Sequence, residues 1–214
     1  MNNVQELSRR DRKKIDRRDL MLEVTRDIVA ANGLRSLKIR DVAAAADCSV
    51  GSIYNEFGDL DGLILTVNRQ TLDAIFAVMS AVPSEDPVAQ LHGFAQAYCR
   101  FAREQPNLLR SLYEHRMEGD RPYPPDLLQQ VMRTFALMDD PMRRLLPDRD
   151  LREVALVART MFSAVHGIVM LGLEERMVAV PPKLLTKQLT LFVDTHLAGL
   201  GVDPAAEPLA GRTP

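Results

Sequence analysis

The hydrophobic pattern along residues 38–57 predicts two short helices joined by a tight turn. In the first half, apolar residues recur at helical spacing and so predict one buried face; they are Ile39, Val42, Ala43 and Ala46. Asp47 then interrupts the pattern, and aspartate tolerates the left-handed backbone that a tight turn often needs. Ser49 supplies a side-chain oxygen that can cap a second helix, predicted at about Val50 to Asn55.

The second predicted helix has an apolar face and a face of small and polar residues. Ile53 and Phe57 are expected to point inward. The other side chains are Ser49, Gly51, Ser52, Tyr54 and Asn55. Small residues let a helix N-terminus approach base edges and phosphates, and its partial positive charge attracts phosphate. The pattern is typical of a helix-turn-helix that places its second helix in a DNA major groove. The alternative is a generic helical hairpin in a packed bundle.

Helical periodicity continues along the chain, and no stretch sustains the alternation of a β-strand. A first helix is predicted from about Asp16 to Asn32, ended by Gly33, with an apolar face formed by Leu20, Val24, Ile28 and Val29. A fourth helix, capped by Asp59, runs to about residue 81. Later helices are predicted at about 87–104, 107–116, 125 to a kink or end near 141, 147–173 and 182–200. The sequence therefore predicts an all-α protein of about nine helices.

We expect four segments along the chain. Residues 1–14 form a flexible basic arm, residues 15–58 a three-helix DNA-binding domain, residues 59–201 a helical ligand-binding and dimerisation domain, and residues 202–214 a disordered tail. The net charge is only −2, but basic residues crowd residues 9–18 and most of the acidic excess lies after residue 58. A basic end on an acidic body fits a DNA-binding protein better than the sum of charges suggests.

Cysteine content and hydropathy suggest a compartment. Cys48 and Cys99 lie far apart without metal-ligand spacing, which suits a reducing cytoplasm and predicts no disulfide framework or zinc site. The sequence shows no run of about 18 apolar residues and no apolar signal core, so we expect no membrane span.

The run LKIRDVAAAADCSVGSIYNEFGDLDGLI resembles the N-terminal domain of the TetR family of transcriptional regulators. The resemblance lies in Ile39-Arg40-Asp41-Val42-Ala43, the turn, Ser49-Val50-Gly51-Ser52-Ile53-Tyr54 and Phe57. It implies that Lys38, Arg40, Tyr54 and the basic arm hold phosphate. The residues expected closest to the bases are Ser49, Val50, Gly51, Ser52 and Asn55. The sequence departs from the family at Leu60, where a phosphate-binding lysine is usual and where Asp59 and Asp61 are neighbours.

The last two long helices are apolar on more than one face, which predicts burial against another chain. We expect a homodimer in which these helices, about 149–173 and 182–200, form a four-helix bundle. The alternative is full burial within one monomer. The family also dimerises through these helices. The segment Phe162-Ser163-Ala164-Val165-His166-Gly167 resembles a C-terminal subtype with the motif W-x-x-x-H-G, in which Phe162 replaces the tryptophan.

Aromatic and methionine side chains accumulate in the body, and most are expected to be core. A pocket among helices is also where small molecules bind, and methionine adapts to varied shapes. The resemblance implies an effector pocket here, and we expect an apolar or aromatic ligand. The candidate ligand-binding residues are Phe76, Met79, Phe94, Tyr98, Tyr113, His115, Met132, Phe135 and His166. The expected polar contacts among them come from Tyr98, His115 and His166.

No catalytic motif is present: the sequence has no phosphate-binding glycine loop, HExxH, Cys–His metal spacing or G-x-S-x-G elbow. We therefore expect no enzyme activity, no cofactor and no metal. The expected partners are a double-stranded DNA operator, a small-molecule effector and a second copy of the chain. Repression is favoured, while activation by the same fold stays open. A helical ligand carrier or bundle enzyme without DNA binding and a protein-interaction adaptor are the remaining alternatives.

Overall fold

The computed structural model describes residues 9–83, 85–174 and 180–202, without the side chains of residues 9–14 and 120. Over these ranges the chain forms α-helices and two short 3₁₀ turns, at Leu34–Ser36 and Glu118–Asp120, and no strand. The helices are α1 (Arg9–Asn32), α2 (Ile39–Ala45), α3 (Val50–Phe57), α4 (Leu60–Ser80), α5 (Pro87–Glu104), α6 (Pro106–Glu114), α7 (Pro125–Ala136), α8 (Asp139–Leu145), α9 (Leu151–Gly172) and α10 (Pro182–Gly199). The all-α prediction is confirmed.

The chain folds into two compact units. The first contains the chain up to Thr71 together with Gln105–Leu127, and the second contains Leu72–Glu104 together with the chain from Leu128 onward. The first unit is larger than the predicted domain of residues 15–58, because α6 packs on α1. The Asn107 side-chain amide also donates a hydrogen bond to the α1 carbonyl of Ala30 at 2.9 Å. The predicted functional boundary at residues 58 and 59 stays a prediction.

The turn between α2 and α3 has the local chemistry that the sequence predicts. Asp47 has a φ of 46°, the one positive value among the described non-glycine residues. The following amide, of Cys48, donates to the Ala43 carbonyl at 2.9 Å and closes the turn. Ser49 then caps α3, because its hydroxyl oxygen accepts a hydrogen bond from the Ser52 amide at 3.1 Å. The predicted roles of Asp47 and Ser49 are confirmed.

The core of the first unit fixes the position of α3. Val42 from α2, Ile53 from α3 and Leu63 from α4 are each fully buried. Burying one such side chain stabilises the folded state by about 1.5–3 kcal/mol relative to leaving it exposed. Ile53 is the one buried residue of α3, so this short helix is held through a single side of its surface.

Helix α1 differs from its prediction in two respects. It begins at Arg9 and not near Asp16, so residues 9–14 of the predicted arm are helical, whereas residues 1–8 lie outside the described residues. Leu20, expected on the apolar face, is 41% exposed. The buried face instead includes Thr25, whose hydroxyl donates to the Met21 carbonyl at 2.6 Å. A buried threonine satisfied in this way hides the apolar stripe from a sequence-based reading.

The helix predicted to start at residue 125 is divided into α7 and α8. The break comes at Leu137-Met138, before Pro141, which lies in the first turn of α8. Proline is tolerated there because the first amides of a helix have no partner inside the helix. Pro141 therefore belongs to the start of a new helix and does not end the previous one. The predicted tail beyond residue 202 lies outside the described residues.

Helices α9 and α10 pack closely in the second unit but leave large apolar side chains exposed. A Cβ on Gly172 would lie 2.6 Å from Leu185 Cδ1, so the glycine permits the close approach. The buried face of α10 consists of Leu185, Leu189, Val193 and Leu197. The exposed leucines on the two helices are Leu151, Leu156, Leu171, Leu184 and Leu191, with 53–68% of their surface accessible. These two helices thus have more apolar surface than their own unit covers.

One helix corrects an expectation about membranes. By length and composition alone, α9 is long and apolar enough to cross a bilayer, contrary to the expectation that no segment would be. Core helices of helical proteins meet the same criteria, and α9 packs against α5, α8 and α10. The two leucines nearest its ends, Leu151 and Leu171, are among the exposed residues.

The positive φ of Asp47 leads to a stability prediction. Asp47→Val should lower the free energy of unfolding by about 1–2 kcal/mol, because a β-branched residue is strained in the left-handed region. Asp47→Gly should cost far less, because glycine adopts this conformation freely. Urea unfolding measures both, with Asp27→Val as the matched change at an exposed helical position. Equal stability of the Asp47→Val and Asp47→Gly proteins would contradict the assignment.

Candidate nucleic-acid interface and aromatic cluster

The surface of α3 opposite Ile53 is open to solvent. Gly51, Tyr54 and Asn55 are exposed, and Tyr54 keeps 44% of its surface accessible. A large aromatic residue exposed beside a glycine and an asparagine serves no packing purpose within the unit. This face combines a close backbone approach at Gly51 with side chains that can bond phosphates and base edges.

The two serines at the start of α3 are engaged with each other. The Ser49 and Ser52 hydroxyl oxygens lie 2.9 Å apart in a hydrogen bond, while Ser49 also accepts from the Ser52 amide. Ser49 is exposed, and Ser52 is half-buried, as is Val50 between them. The pair therefore fixes the first turn of α3 while one hydroxyl proton and the remaining lone pairs stay available to a ligand.

Two cationic residues lie at the start of α2. Lys38 is the N-cap residue and makes no side-chain capping bond, and Arg40 lies in the first turn. Both side chains are exposed. All eight residues predicted for DNA binding thus belong to the first unit, and all except Val50 and Ser52 are exposed.

Arg18 has a role that sequence reading missed. It belongs to the basic segment expected to hold phosphate, yet its Nε lies 3.1 Å from Glu56 Oε1 and its guanidinium stacks 5.2 Å from the Phe57 ring centroid. Arg18 therefore joins α1 to the C-terminal end of α3. The only sequence signal for this contact is a basic residue in α1 and an acidic residue in α3, and their spacing says nothing about pairing.

An aromatic cluster forms in the second unit around Tyr98 and Phe162. The Tyr98 hydroxyl lies 2.7 Å from His166 Nδ1, with the donor set by the histidine tautomer. Phe162 packs edge-on against Tyr98 and Phe135, with ring centroids 5.4 and 4.8 Å apart, and stacks on His166. Two predicted polar ligand contacts, Tyr98 and His166, are therefore brought together, beside the residue that replaces the subtype tryptophan.

Other predicted ligand residues are arranged around the same unit. Met79 and Phe94 are almost fully buried, as core residues are. Phe76 is covered by the Arg133 guanidinium, 3.9 Å from the ring centroid. Met132 is 50% exposed, and its sulfur accepts a hydrogen bond from Arg159 at 3.4 Å.

Tyr113 and His115 belong to the first unit, apart from the aromatic cluster in the division of the chain. Tyr113 is 48% exposed. His115 is buried, with Nε2 3.4 Å from Asp61 Oδ1 and its ring edge-on to Tyr123. Its Nε2 makes no hydrogen bond of good geometry, so the approach to Asp61 is electrostatic. The contacts of His115 are structural, and a ligand role for it stays a prediction.

Two sequence models of protein families match the chain. The model described as "Bacterial regulatory proteins, tetR family" matches residues 21–67, and the model described as "Tetracyclin repressor-like, C-terminal domain" matches residues 91–195. The chain belongs to the TetR family of transcriptional regulators. The exposed face of α3 is thus the recognition-helix surface of a TetR-type helix-turn-helix. The W-x-x-x-H-G subtype stays a prediction.

Solved structures share the TetR fold at low sequence identity. A protein of unknown function from Rhodococcus sp. RHA1 aligns with a TM-score of 0.70 and 17% identity, covering 93% of this chain and 98% of its own. The TetR family regulator PfmR from Thermus thermophilus aligns with 0.60 and 19%, covering 84% and 95%. A TetR transcriptional regulator from Rhodococcus sp. RHA1 aligns with 0.62 and 17%, covering 88% and 99%. No curated protein sequence matches this chain significantly.

The buried histidines of this TetR-family chain predict a pH dependence of stability. Burial lowers the pKa of His166, His115 and His196 below the ordinary value of 6.5, although the charges of Asp61 and Asp59 partly oppose the effect at His115. Below pH 6.5 the unfolded chain then binds more protons than the folded chain, so the free energy of unfolding falls as the pH falls. Urea unfolding between about pH 7.5 and about pH 5.5 measures this loss.

His166→Gln should reduce this pH dependence, because it removes one of the groups that must be protonated on unfolding. The comparison is between wild type and variant over the same pH range, not between their stabilities at one pH. An identical fall in the free energy of unfolding for both proteins would contradict the buried, neutral state of His166.

Proposed function

We propose that this chain is a dimeric transcriptional repressor that binds a palindromic operator and is released by a small apolar or aromatic effector. The observation that carries the proposal is the exposed surface of α3, where Gly51, Tyr54 and Asn55 face solvent on a helix fixed by Ile53. The protein would act in the cytoplasm. Its family membership supports the general role, while the operator, the dimer and the effector are the parts we propose.

In the proposed complex, α3 enters the major groove with its N-terminal end toward the bases. Lys38, Arg40 and Tyr54 hold phosphates on either side of the groove, because charged and phenolic donors suit phosphate oxygens. The residues closest to the bases are Ser49, Val50, Gly51, Ser52 and Asn55. Two copies of α3, one from each chain, then read two half-sites about one helical turn apart.

The proposed dimer interface is the exposed apolar surface of α9 and α10. A single exposed leucine is ordinary on a protein surface, but a set on two packed helices indicates an interaction face. Leu156 and Leu191 are 65% and 63% exposed within their helices. Two helices from each chain would bury these side chains in a four-helix bundle.

The proposed effector site is the aromatic cluster around Tyr98, Phe162 and His166. Its rings suit an apolar or aromatic ligand, and the Tyr98–His166 hydrogen bond offers a polar pair that a ligand can share or replace. The effector must bind the DNA-free state more tightly than the DNA-bound state, by about 1–3 kcal/mol for a typical coupling.

A transcriptional activator of the same fold is the second candidate. It would bind the same DNA with the same residues, so a reporter gene downstream of the binding site separates the two. A helical ligand-binding protein without DNA function would lack salt-dependent binding to any duplex.

The DNA contacts can be tested with the duplex that wild-type protein enriches from a random-sequence library. Tyr54→Phe and Arg40→Ala should each weaken binding by about tenfold, or about 1.4 kcal/mol, the order of one hydrogen bond to a charged group. Arg40→Ala should also lower the salt dependence by about one phosphate contact, whereas Tyr54→Phe should not, because the lost hydroxyl is neutral. Fluorescence anisotropy at two salt concentrations measures both quantities.

Arg100→Ala is the matched control, because Arg100 is an exposed arginine in the second unit. It should bind the duplex as wild type does. Wild-type affinity in both Tyr54→Phe and Arg40→Ala would refute the assigned contacts.

The dimer can be tested by placing a charge in the proposed interface. Leu191→Glu and Leu156→Glu should give monomers in sedimentation equilibrium, because each buries a carboxylate in an apolar interface. Leu128→Glu is the matched control, since Leu128 is 52% exposed but lies on α7 outside the two helices. A monomeric wild-type protein, or an unchanged dimer in both variants, would exclude this interface.

A further inference from the structure

The first turn of α4 is tied by side chains to the segment between α6 and α7, within the same unit. Arg121 Nη2 donates hydrogen bonds to Asp59 Oδ2 at 3.0 Å and to Asp61 Oδ2 at 2.6 Å. Arg121 Nε donates to the Glu118 carbonyl at 3.2 Å, which orients the guanidinium from its own segment. The group formed by Asp59, Asp61 and Arg121 is here named the Arg121 clasp.

Asp61 is the centre of this group. It is only 9% exposed, and its Oδ2 also accepts a hydrogen bond from the Glu118 amide at 2.9 Å. Its other oxygen faces the buried ring of His115, whose carbonyl accepts a hydrogen bond from the Tyr123 hydroxyl at 2.5 Å. A carboxylate this far from water is stable only while it is paired. Asp61 therefore holds the segment from residue 115 to residue 123 against α4.

The start of α4 is also in direct contact with the end of the recognition helix. Only Gly58 and Asp59 separate α3 from α4, and Asp59 Oδ1 accepts a hydrogen bond from the Gly62 amide at 2.7 Å. A Cβ on Gly62 would collide with the Phe57 carbonyl oxygen, so the backbones of the two helices touch there. A displacement of the first turn of α4 must therefore displace the end of α3.

The clasp is more than an ordinary surface ion pair. Isolated exposed pairs contribute little, and the side chains of Arg121 and Asp59 are 48% and 43% exposed. The side chain of Asp61, in contrast, is 12% exposed, so loss of Arg121 leaves a nearly buried carboxylate without its cation. The Gly62 amide, and after it Arg121, lowers the pKa of Asp59, so this carboxylate is charged at neutral pH.

We propose that Arg121 is a positioning residue for DNA binding. It holds the first turn of α4 through Asp59 and Asp61, and thereby keeps α3 in the orientation that fits the major groove. Arg121 itself contacts no DNA in this arrangement. The inference rests on the proposed DNA-binding function and adds to it a residue far from the recognition helix in sequence.

The test uses full-length protein and the duplex that wild type enriches from a random-sequence library. Arg121→Gln should weaken binding by about tenfold or more, within the usual range for coupling between sites. The slope of log affinity against log salt should stay as in wild type, because no phosphate contact is lost. Arg121→Lys should be intermediate, since lysine keeps the charge but not the two-pronged geometry. Arg144→Gln, which removes an arginine paired with Asp140 in the second unit, should bind as wild type.

Two outcomes would overturn the proposal. Unchanged affinity of Arg121→Gln would show that the clasp does not position α3. A weaker complex whose salt slope falls by about 0.9 would make Arg121 a direct phosphate contact.

A second variant keeps the test valid if Arg121→Gln fails to fold. Asp59→Asn retains a capping side chain at the start of α4 but weakens the clasp. It should bind DNA more weakly, although removing a negative charge would by itself strengthen binding to phosphate. Equal or tighter binding by Asp59→Asn would contradict positioning by the clasp.

Amide hydrogen exchange on DNA-free protein separates this inference from the proposed function. Arg121→Gln should speed exchange at Gly62 and Leu63, whose amides bond to Asp59 in the first turn of α4. Unchanged exchange at these amides would show that Arg121 does not hold this turn and would overturn the inference even if DNA binding is found. Faster exchange in a protein whose wild type binds no duplex would leave the clasp intact and reject the DNA-binding function.

Discussion

The tight turn at Asp47-Cys48-Ser49 is the constraint on which the DNA-binding surface depends. A left-handed residue followed closely by a capping serine reverses the chain and starts α3 within three residues. Ile53 is then the only side chain of α3 that is fully buried, so the turn and this one anchor set the orientation of the helix. The polar face is exposed because the helix is too short to bury a second one.

Contacts distant in sequence hold both ends of this short helix in place. Arg18 of α1 bonds Glu56 and stacks on Phe57 at its C-terminal end. Beyond that end, Gly62 places α4 against the Phe57 carbonyl, and Arg121 ties α4 to the segment after α6. The recognition surface is thus positioned by charged groups that make no use of their charge in binding DNA. In the second unit, the aromatic cluster and the exposed leucines of α9 and α10 have separate proposed roles, in ligand binding and in association.

Local chemistry was predictable from the sequence, and long-range pairing was not. Asp47, Ser49 and Gly33 each act through neighbours within four residues, so residue type and spacing were sufficient. Thr25 misled the reading of α1, because a hydroxyl satisfied by its own helix lets a polar residue be buried. Arg121 and Asp61 meet across sixty positions, and no periodicity relates them. Leu137-Met138 was read as continuous helix because the apolar spacing does not change at the break.

The central claim is that the surface of α3 reads a two-fold symmetric DNA site. Selection of duplexes from a random-sequence library by the full-length protein tests this most directly. The account predicts enrichment of a palindrome whose half-sites lie about one helical turn apart, bound with an affinity that falls steeply with salt. Failure to enrich any sequence at low salt would contradict it and would leave a helical ligand-binding protein of the same fold.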